Sequence, residues 1–209
     1  MNKGNVVGMI LSGGLSRRMG ADKSEKKIFD RSLIELVVRR SIKQVQTLII
    51  NSNKENFSMA TTTGVKAIVK DCLPGNLGPL VGILTGIKWT KQKTKSKWMV
   101  CFPVDSPFFP ENLVSKFLEN SEGYEIILAE GRGRVHPVFS MWKINLEIEK
   151  QLYNFLKDDQ RKIDSFTKKF KTRVVNFSDI GYDPFFNVNT PNDIEIAKKI
   201  YKNNSEQFK

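Results

Sequence analysis

The chain has 209 residues, of which 40% are hydrophobic and 27% are charged, and its formal net charge is +12. This composition is typical of a globular protein and excludes a disordered or collagen-like chain. No apolar run approaches the ~20 residues of a membrane-spanning helix, and the short N-terminal run lacks the cleavage site of a signal peptide. Two cysteines are too few for a disulfide scaffold or a zinc site. We therefore expect a reduced, cytoplasmic protein that does not contact a membrane.

The predicted elements alternate between strands and helices along the chain. Val6–Leu11 is a continuous apolar run, which is typical of a buried parallel strand. Ser32 and Glu35 have the spacing of a capping box and predict a helix start. Prolines at positions 79, 110 and 191 predict three more helix starts, because proline is tolerated in a first turn. The remaining predicted strands cover 47–51, 65–69, 99–102, 126–129, 138–142 and 173–177, and the remaining predicted helices cover 144–156 and 162–170.

This alternation predicts an α/β fold with a mainly parallel central sheet and helices on both faces. No linker or internal repeat divides the chain, so we expect a single domain over residues 1–209. The polar tail, 203–209, is expected to fray. Ligands of such sheets bind beyond the carboxyl ends of the strands. The residues that follow each strand are therefore the candidate site residues.

The loop after the first strand, LSGGLSRRMGADK, has the chemistry of a phosphate-binding loop. It matches neither the Walker pattern nor the dinucleotide fingerprint. Gly13, Gly14 and Gly20 let backbone N–H groups approach an anion closely. Arg18 and Lys23 add cations for the oxygens of a phosphate. The combination predicts an anion site beside the first strand.

The positive charge is concentrated near this loop. Residues 1–50 carry 10 basic and 4 acidic side chains, which is half of the net charge. A strongly basic chain suggests a nucleic-acid partner. The second basic run, 88–97, has lysines that alternate with Thr, Gln and Ser, and we expect a solvated loop there.

Polar residues follow the later strands too. Asn51 and Asp71 follow the second and third predicted strands, and Asp105 lies on a proline-stiffened turn after the next one. One carboxylate suffices for Mg²⁺ when a substrate supplies phosphate oxygens and water completes the shell. Asn187 and Asn189, spaced i,i+2, face one side of an extended segment. The joint layout predicts a sheet edge that holds a nucleoside triphosphate with a metal.

These motifs resemble a known family. LSGGLSRRMGADK resembles the L-A-G-G-x-S-x-R-M-G-x-D-K signature of the MobA family of molybdenum cofactor guanylyltransferases, and GPLVGI, FPVDSPFFP, HPVFSMW and FNVNTP resemble its later motifs in the same order. The resemblance covers about residues 4–200. It implies a Rossmann-like nucleotidyltransferase fold and Mg²⁺-dependent transfer of GMP from GTP to the terminal phosphate of molybdopterin, with release of pyrophosphate. Ser12 replaces the usual alanine, and Asp30-Arg31-Ser32 stands in place of Gly-Lys-Pro.

The resemblance also implies roles for individual residues. Arg18, Lys23 and Asp105 would be catalytic, with Asp105 as the magnesium ligand. Asn187 and Asn189 would bind molybdopterin, and the lone histidine, at 136, receives no role. Residues 1–100 would form the GTP half and residues 101–200 the molybdopterin half. The implied GTP-binding residues are Leu11, Ser12, Gly13, Gly14, Lys23, Asn51, Asp71, Gly78 and Asp105.

The motifs leave two alternative functions open. A related nucleotidyltransferase would use CTP on molybdopterin, or another nucleotide on a sugar phosphate. A basic nucleic-acid-binding module is disfavoured, because no RRM, KH or zinc-finger signature is present. We therefore expect GTP and molybdopterin as substrates and no nucleic acid. The resemblance further implies contacts with other proteins of molybdenum-cofactor biosynthesis and with molybdoenzyme chaperones.

Overall fold

A computed structural model describes residues 5–13, 23–54, 63–75, 77–177 and 181–208, with only the backbone described for Lys23 and Gln207. The strands are β1 (Val6–Leu11), β2 (Lys27–Ile28), β3 (Arg31–Ser32), β4 (Thr47–Asn51), β5 (Ala67–Val69), β6 (Trp98–Pro103), β7 (Ile126–Gly131), β8 (Arg134–Lys143) and β9 (Thr172–Asn176). The helices are α1 (Leu33–Ile42), α2 (Pro79–Lys93), α3 (Leu113–Glu119), α4 (Leu146–Lys157), α5 (Ile163–Thr167) and α6 (Pro191–Asn203).

Seven of the strands form one sheet in the order β5-β4-β1-β6-β8-β7-β9. The predicted mainly parallel α/β sheet is confirmed, since β8 is the strand that runs antiparallel to its neighbours β6 and β7. β1 lies between β4 and β6, and all six of its residues are buried. The apolar run Val6–Leu11 therefore forms an interior strand of the sheet, with a neighbouring strand on each side. β2 and β3 pair as a separate short hairpin.

The β7–β8 hairpin is longer than its sequence predicts. Arg132 and Gly133 have φ values of 51° and 71°, which is the geometry of a two-residue hairpin turn. Because this turn occupies only two residues, the two strands reach Gly131 and Arg134 and not 129 and 138. The carboxyl end of β7 and the start of β8 thus extend the edge at which β6 ends.

Helices cover both faces of the sheet, as predicted. α1 and α3 pack on one face, and α2, α4 and α5 pack on the other. The capping box at the start of α1 is confirmed: the Ser32 hydroxyl accepts from the Glu35 N–H at 3.4 Å, and the Glu35 carboxylate accepts from the Ser32 N–H at 2.6 Å. This cap fixes the start of a helix whose apolar side enters the core.

The described part of the C-terminal tail, up to Phe208, is folded onto the protein, whereas the sequence predicts a frayed tail. Ser205–Phe208 forms a 3₁₀ turn, and Phe208 is only 8% exposed. Its ring lies 5.1 Å from that of Phe108, and its carbonyl accepts from Arg31 Nη1 at 3.1 Å. The fraying predicted for 203–209 is not seen up to Phe208, because one aromatic residue in a polar tail completes a third apolar cluster, and residue 209 lies outside the described residues. That cluster joins α6 to α1 and to the β2–β3 hairpin.

Two further boundaries differ from the prediction. α3 begins at Leu113 and not at Pro110, and α2 continues to Lys93. Lys88 and Lys91 therefore lie on α2 and not in a loop, and Lys91 pairs with Glu149 on α4 at 2.8 Å. Among the helices that the structure describes, none has the length and apolar character to cross a membrane.

Candidate active site

The carboxyl ends of β4, β1 and β6 lie side by side at one edge of the sheet. The Ser12 N–H donates to the Asn51 carbonyl at 3.0 Å, and the Val104 N–H donates to the Leu11 carbonyl at 3.2 Å. Neighbouring strands are about 4.8 Å apart. The chain that leaves β1 at Leu11 therefore passes between Asn51 on one side and the segment leading to Asp105 on the other.

The Asn51 side chain is held in one orientation. Its Nδ2 donates to Asp71 Oδ1 at 2.8 Å and to the Val69 carbonyl at 3.2 Å. Both amide hydrogens are thus used. Asn51 Oδ1 remains as a hydrogen-bond acceptor, and the described residues provide it with no donor. Asn51 is only 3% exposed, so this acceptor is fixed within a largely buried side chain.

Asp71 is an anchor for two asparagines. Its Oδ2 accepts from Asn53 Nδ2 at 2.6 Å, and its own N–H donates to Asn53 Oδ1 at 2.8 Å. The carboxylate therefore links the segment after β5 to the segment after β4. Sequence reasoning found Asn51 and Asp71 but missed Asn53, whose i,i+2 spacing from Asn51 was the available signal.

Two glycines lie beside the Asn51 oxygen, and one of them is required for its space. A Cβ at Gly82 on α2 would lie 2.6 Å from Asn51 Oδ1 and 2.6 Å from Leu11 Cδ2. At Gly13 the corresponding distance to Asn51 Oδ1 would be 3.6 Å. Gly82 is needed because the helix approaches the strand ends closely. A side chain at Gly13 would be accommodated.

The N-terminus of α2 faces this edge with glycine as its cap. Gly78 has φ 71° and makes no side-chain cap, and the first turn carries no acidic residue. Positive φ accounts for glycine at this position. The free N–H groups of a first turn favour anions or carbonyl oxygens. The predicted nucleotide residue Gly78 is thus placed at a helix end with that property.

Ser12 contributes a buried hydroxyl to the same edge. The side chain is 4% exposed, and its Oγ has no hydrogen-bond partner among the described residues. Buried hydroxyls without a partner are rare and costly. The adjoining residues Gly14 and Arg18, which the sequence assigns to the phosphate loop, lie outside the described residues, as does the side chain of Lys23.

Asp105 and Asn187, predicted from separate motifs, are neighbours in the structure. The Val188 N–H donates to the Asp105 carbonyl at 2.8 Å. The Ser106 hydroxyl lies 2.5 Å from Asn187 Oδ1 and 3.3 Å from Asp105 Oδ1. The FNVNTP segment is therefore fastened to the segment after β6. Ser106 was missed by sequence reasoning, because its partner is 81 residues away.

Asn189 begins the entry into α6. Its N–H donates to Asp193 Oδ2 at 2.9 Å, beside a capping box formed by Thr190 and Asp193. Asn187 and Asn189 are both exposed. Both side chains are thus accessible, and Thr190 and Asp193 account for the helix start. That the two asparagines bind a ligand together stays a prediction.

His136 also lies near this edge, close to the start of β8. Its ring is 4.7 Å from that of Phe185. Burial lowers the pKa of His136, although the nearby Asp183 opposes the shift. This favours the neutral imidazole.

Cys101 is fully buried in β6. Burial raises the pKa of its thiol far above the ordinary range, so the thiol is unreactive.

The described residues offer a divalent metal one type of site, in which a single carboxylate binds the ion. Among the described residues, no three His, Cys, Asp or Glu side chains converge to hold an ion. Asp105 is a hard carboxylate donor at the strand edge, and the oxygen of the neighbouring Asn187 amide is taken up by the Ser106 hydroxyl. A single carboxylate suits a cation that takes its remaining ligands from phosphate oxygens and water.

Comparisons with known proteins agree with this architecture. The solved structure of molybdopterin-guanine dinucleotide biosynthesis protein A from Archaeoglobus fulgidus superimposes with a TM-score of 0.72 at 21% identity, covering 94% of this chain and 99% of that one. A 4-diphosphocytidyl-2C-methyl-D-erythritol synthase from Anaerococcus prevotii superimposes with a TM-score of 0.73 at 11% identity, covering 96% and 97%. Both similarities concern the fold, and the Rossmann-like nucleotidyltransferase architecture is confirmed.

Two curated relatives are more similar to this chain in sequence than these two solved structures are. The chain is 36% identical over 196 residues to a molybdenum cofactor guanylyltransferase of Rhodopseudomonas palustris (strain BisB5), covering 92% of each chain. It is 34% identical over 199 residues to the enzyme of the same name from Bradyrhizobium sp. (strain ORS 278), covering 93% of this chain and 92% of that one. Residues 8–171 match the family model described as the MobA-like NTP transferase domain. The resemblance seen in the motifs is thereby confirmed, and the chain belongs to the family of MobA-like NTP transferases.

Proposed function

We propose that this nucleotidyltransferase transfers GMP from GTP to the terminal phosphate of molybdopterin, giving molybdopterin guanine dinucleotide and pyrophosphate. The observation that carries the proposal is the placement of Asn51, Asp71 and Asp105 at adjacent strand ends around Leu11 and Ser12. The choice of GTP and molybdopterin is supported by the relatives, which are named molybdenum cofactor guanylyltransferases over more than nine-tenths of the chain.

The nucleotide would lie over the β1, β4 and β5 ends. Leu11, Ser12 and Gly13 would line its path, and the fixed acceptor of Asn51 would meet a donor group of the base or ribose. Asp71 would act by holding Asn51. The N-terminus of α2 at Gly78 would favour the negative charge of the triphosphate. Arg18, Lys23 and the backbone of Gly14 are proposed, on the resemblance, to hold its phosphates.

The acceptor would approach from the side of β6 and α6, where Asn187 and Asn189 are exposed. An oxygen of its phosphate attacks the α-phosphorus of GTP in line. A new P–O bond forms, and the bond between the α-phosphorus and the bridging oxygen breaks to release pyrophosphate. The attacking phosphate is already an anion, so the reaction needs no general base. The protein's contribution is to position two anions and to stabilise their charge.

We propose Mg²⁺ as the metal, with Asp105 as its protein ligand. When bound, Mg²⁺ would neutralise charge on the phosphate oxygens of the nucleotide. The domain assignment is proposed in the same terms: one nucleotidyltransferase domain, with a GTP half up to about residue 100 and a molybdopterin half after it. We propose a cytoplasmic location. Both cysteines are free thiols, which is usual in a reducing compartment, and a reaction that uses GTP fits the same place.

The test is a nucleotide-selectivity assay with the purified protein. Pyrophosphate release is measured with GTP, CTP or ATP in the presence of Mg²⁺, with no acceptor, with molybdopterin or with a sugar phosphate. We expect release with GTP that depends on molybdopterin. A preference for CTP would identify a cytidylyltransferase, and release that requires a sugar phosphate would identify a different acceptor. No molybdopterin-dependent release with any of the three nucleotides would overturn the proposal.

A further inference from the structure

Ser106 lies under the part of the site where the two substrates would meet. It is fully buried, follows Asp105 directly, and contacts Asn187 from the other half of the chain. Asn187, by contrast, is exposed. A buried hydroxyl thus supports an exposed amide beside the carboxylate proposed to hold the metal.

The distances decide where the Ser106 proton is. A serine hydroxyl has one hydrogen to donate. Its oxygen is 2.5 Å from Asn187 Oδ1 and 3.3 Å from Asp105 Oδ1, so the shorter contact receives the hydrogen. Asn187 Oδ1 is therefore engaged from below. The Nδ2 group on the other side of the amide keeps two hydrogens, for which the described residues provide no acceptor.

An outward NH₂ group at this place has a definite chemical use. Asp105 carries negative charge, and the proposed acceptor substrate is a phosphate that must approach it closely. A neutral donor beside the carboxylate offers that phosphate a hydrogen bond without adding charge. The opposite orientation would present the Asn187 oxygen, which would bind a cation or a hydroxyl donor instead.

We propose that Ser106 is a positioning residue, which holds the Asn187 amide with its NH₂ group outward so that Asn187 donates to an oxygen of the acceptor phosphate. The inference rests on the proposed function and makes it more specific. Ser106 does not touch the substrate. Its effect passes through the orientation of one amide and should therefore appear in the binding of the acceptor, not in that of GTP.

Three variants test the inference by steady-state kinetics with GTP, Mg²⁺ and molybdopterin. Ser106→Ala frees the amide to rotate, and we expect a KM for molybdopterin about threefold to tenfold higher, with an unchanged KM for GTP. Asn187→Ala should act in the same direction. Asn187→Asp replaces the donor by a second carboxylate, and its loss in kcat/KM for molybdopterin should exceed that of Asn187→Ala at least tenfold.

Ser41→Ala is the matched control. Ser41 is also fully buried, and its hydroxyl has no partner among the described residues, so this variant should leave both KM values unchanged. Asn187 is exposed, so its variants should fold and can be measured even where Ser106→Ala fails to fold. If the wild type is active and Asn187→Asp retains the KM of the wild type for molybdopterin, Asn187 is not a donor and the inference is overturned alone. If the wild type transfers no GMP to molybdopterin, the proposed function fails and the inference fails with it.

Discussion

A single methyl group added at Gly82 should weaken the binding of the nucleotide in a protein that still folds. In Gly82→Ala the new Cβ would lie 2.6 Å from both Asn51 Oδ1 and Leu11 Cδ2. Leu11 can move its terminal carbon, but the Asn51 amide is held by its bonds to Asp71 and to the Val69 carbonyl. The methyl group therefore fits only if the amide leaves the position in which its oxygen is presented.

The magnitude follows from three contributions. Overpacking of this kind costs about 1–3 kcal/mol. Alanine is favoured over glycine within a helix by roughly 0.5–1 kcal/mol. The net loss in the free energy of unfolding should thus be about 0–2.5 kcal/mol, with a midpoint near 1 kcal/mol. A displaced Asn51 would also lose its hydrogen bond to the nucleotide, worth about 0.5–1.5 kcal/mol, which raises KM for GTP roughly twofold to tenfold.

The assay compares Gly82→Ala with Gly86→Ala, one turn further along α2. A Cβ at Gly86 would meet the sulfur atoms of Met9 and Met99 in the core, away from Asn51. Urea denaturation should show a loss of stability in both variants, whereas KM for GTP should rise only in Gly82→Ala. A folded Gly82→Ala protein with the KM of the wild type for GTP would refute the role given to Asn51.

Three further predictions concern other parts of the molecule. Asp105→Ala should abolish pyrophosphate release while GTP binding, measured by calorimetry, weakens only modestly, and turnover at the level of the wild type would remove Asp105 from the mechanism. Arg40 is buried and pairs with Glu111 at 3.6 Å, so Arg40→Ala should lower the free energy of unfolding by about 2 kcal/mol or more. Lys43→Ala should cost at most about 1 kcal/mol, because the exposed Lys43 ammonium lies 3.9 Å from the same carboxylate. Equal losses of the two variants in urea denaturation would contradict this. Because burial lowers the pKa of His136, the neutral form stabilises the fold above its ordinary pKa of about 6.5, and this contribution is lost as the pH falls below that value. Between about pH 7 and pH 5 the wild type should therefore lose more stability than His136→Gln, and parallel pH profiles in thermal denaturation would show that His136 does not contribute.

The elements that sequence reasoning placed well are those with local signals. The apolar run of β1 and the capping box at Ser32 need no information beyond a few neighbouring residues. The segment before α3 has distant partners. The Pro110 carbonyl accepts at 3.1 Å from Gln44, which lies just after α1, and residues 110–112 precede the helix. No pattern near Pro110 reports that contact.

The candidate site divides in the same way. Asn51, Asp71 and Asp105 could be placed together because the carboxyl ends of parallel strands meet at one edge. Asn53 and Ser106 could not, because their importance depends on a partner rather than on their own position in the chain. The roles of all five remain predictions until the variants are measured.

The aromatic packing of Phe208 has a consequence for how far the chain can be shortened. Its ring lies 4.9 Å from the Arg40 guanidinium, so the segment Ser205–Phe208 packs against α1. Phe208 belongs to the cluster that joins α1, α6 and the β2–β3 hairpin, apart from the two clusters that flank the sheet. Deleting residues 205–209 would remove this ring from its contacts with Phe108 and Tyr182 and expose both aromatic side chains to water.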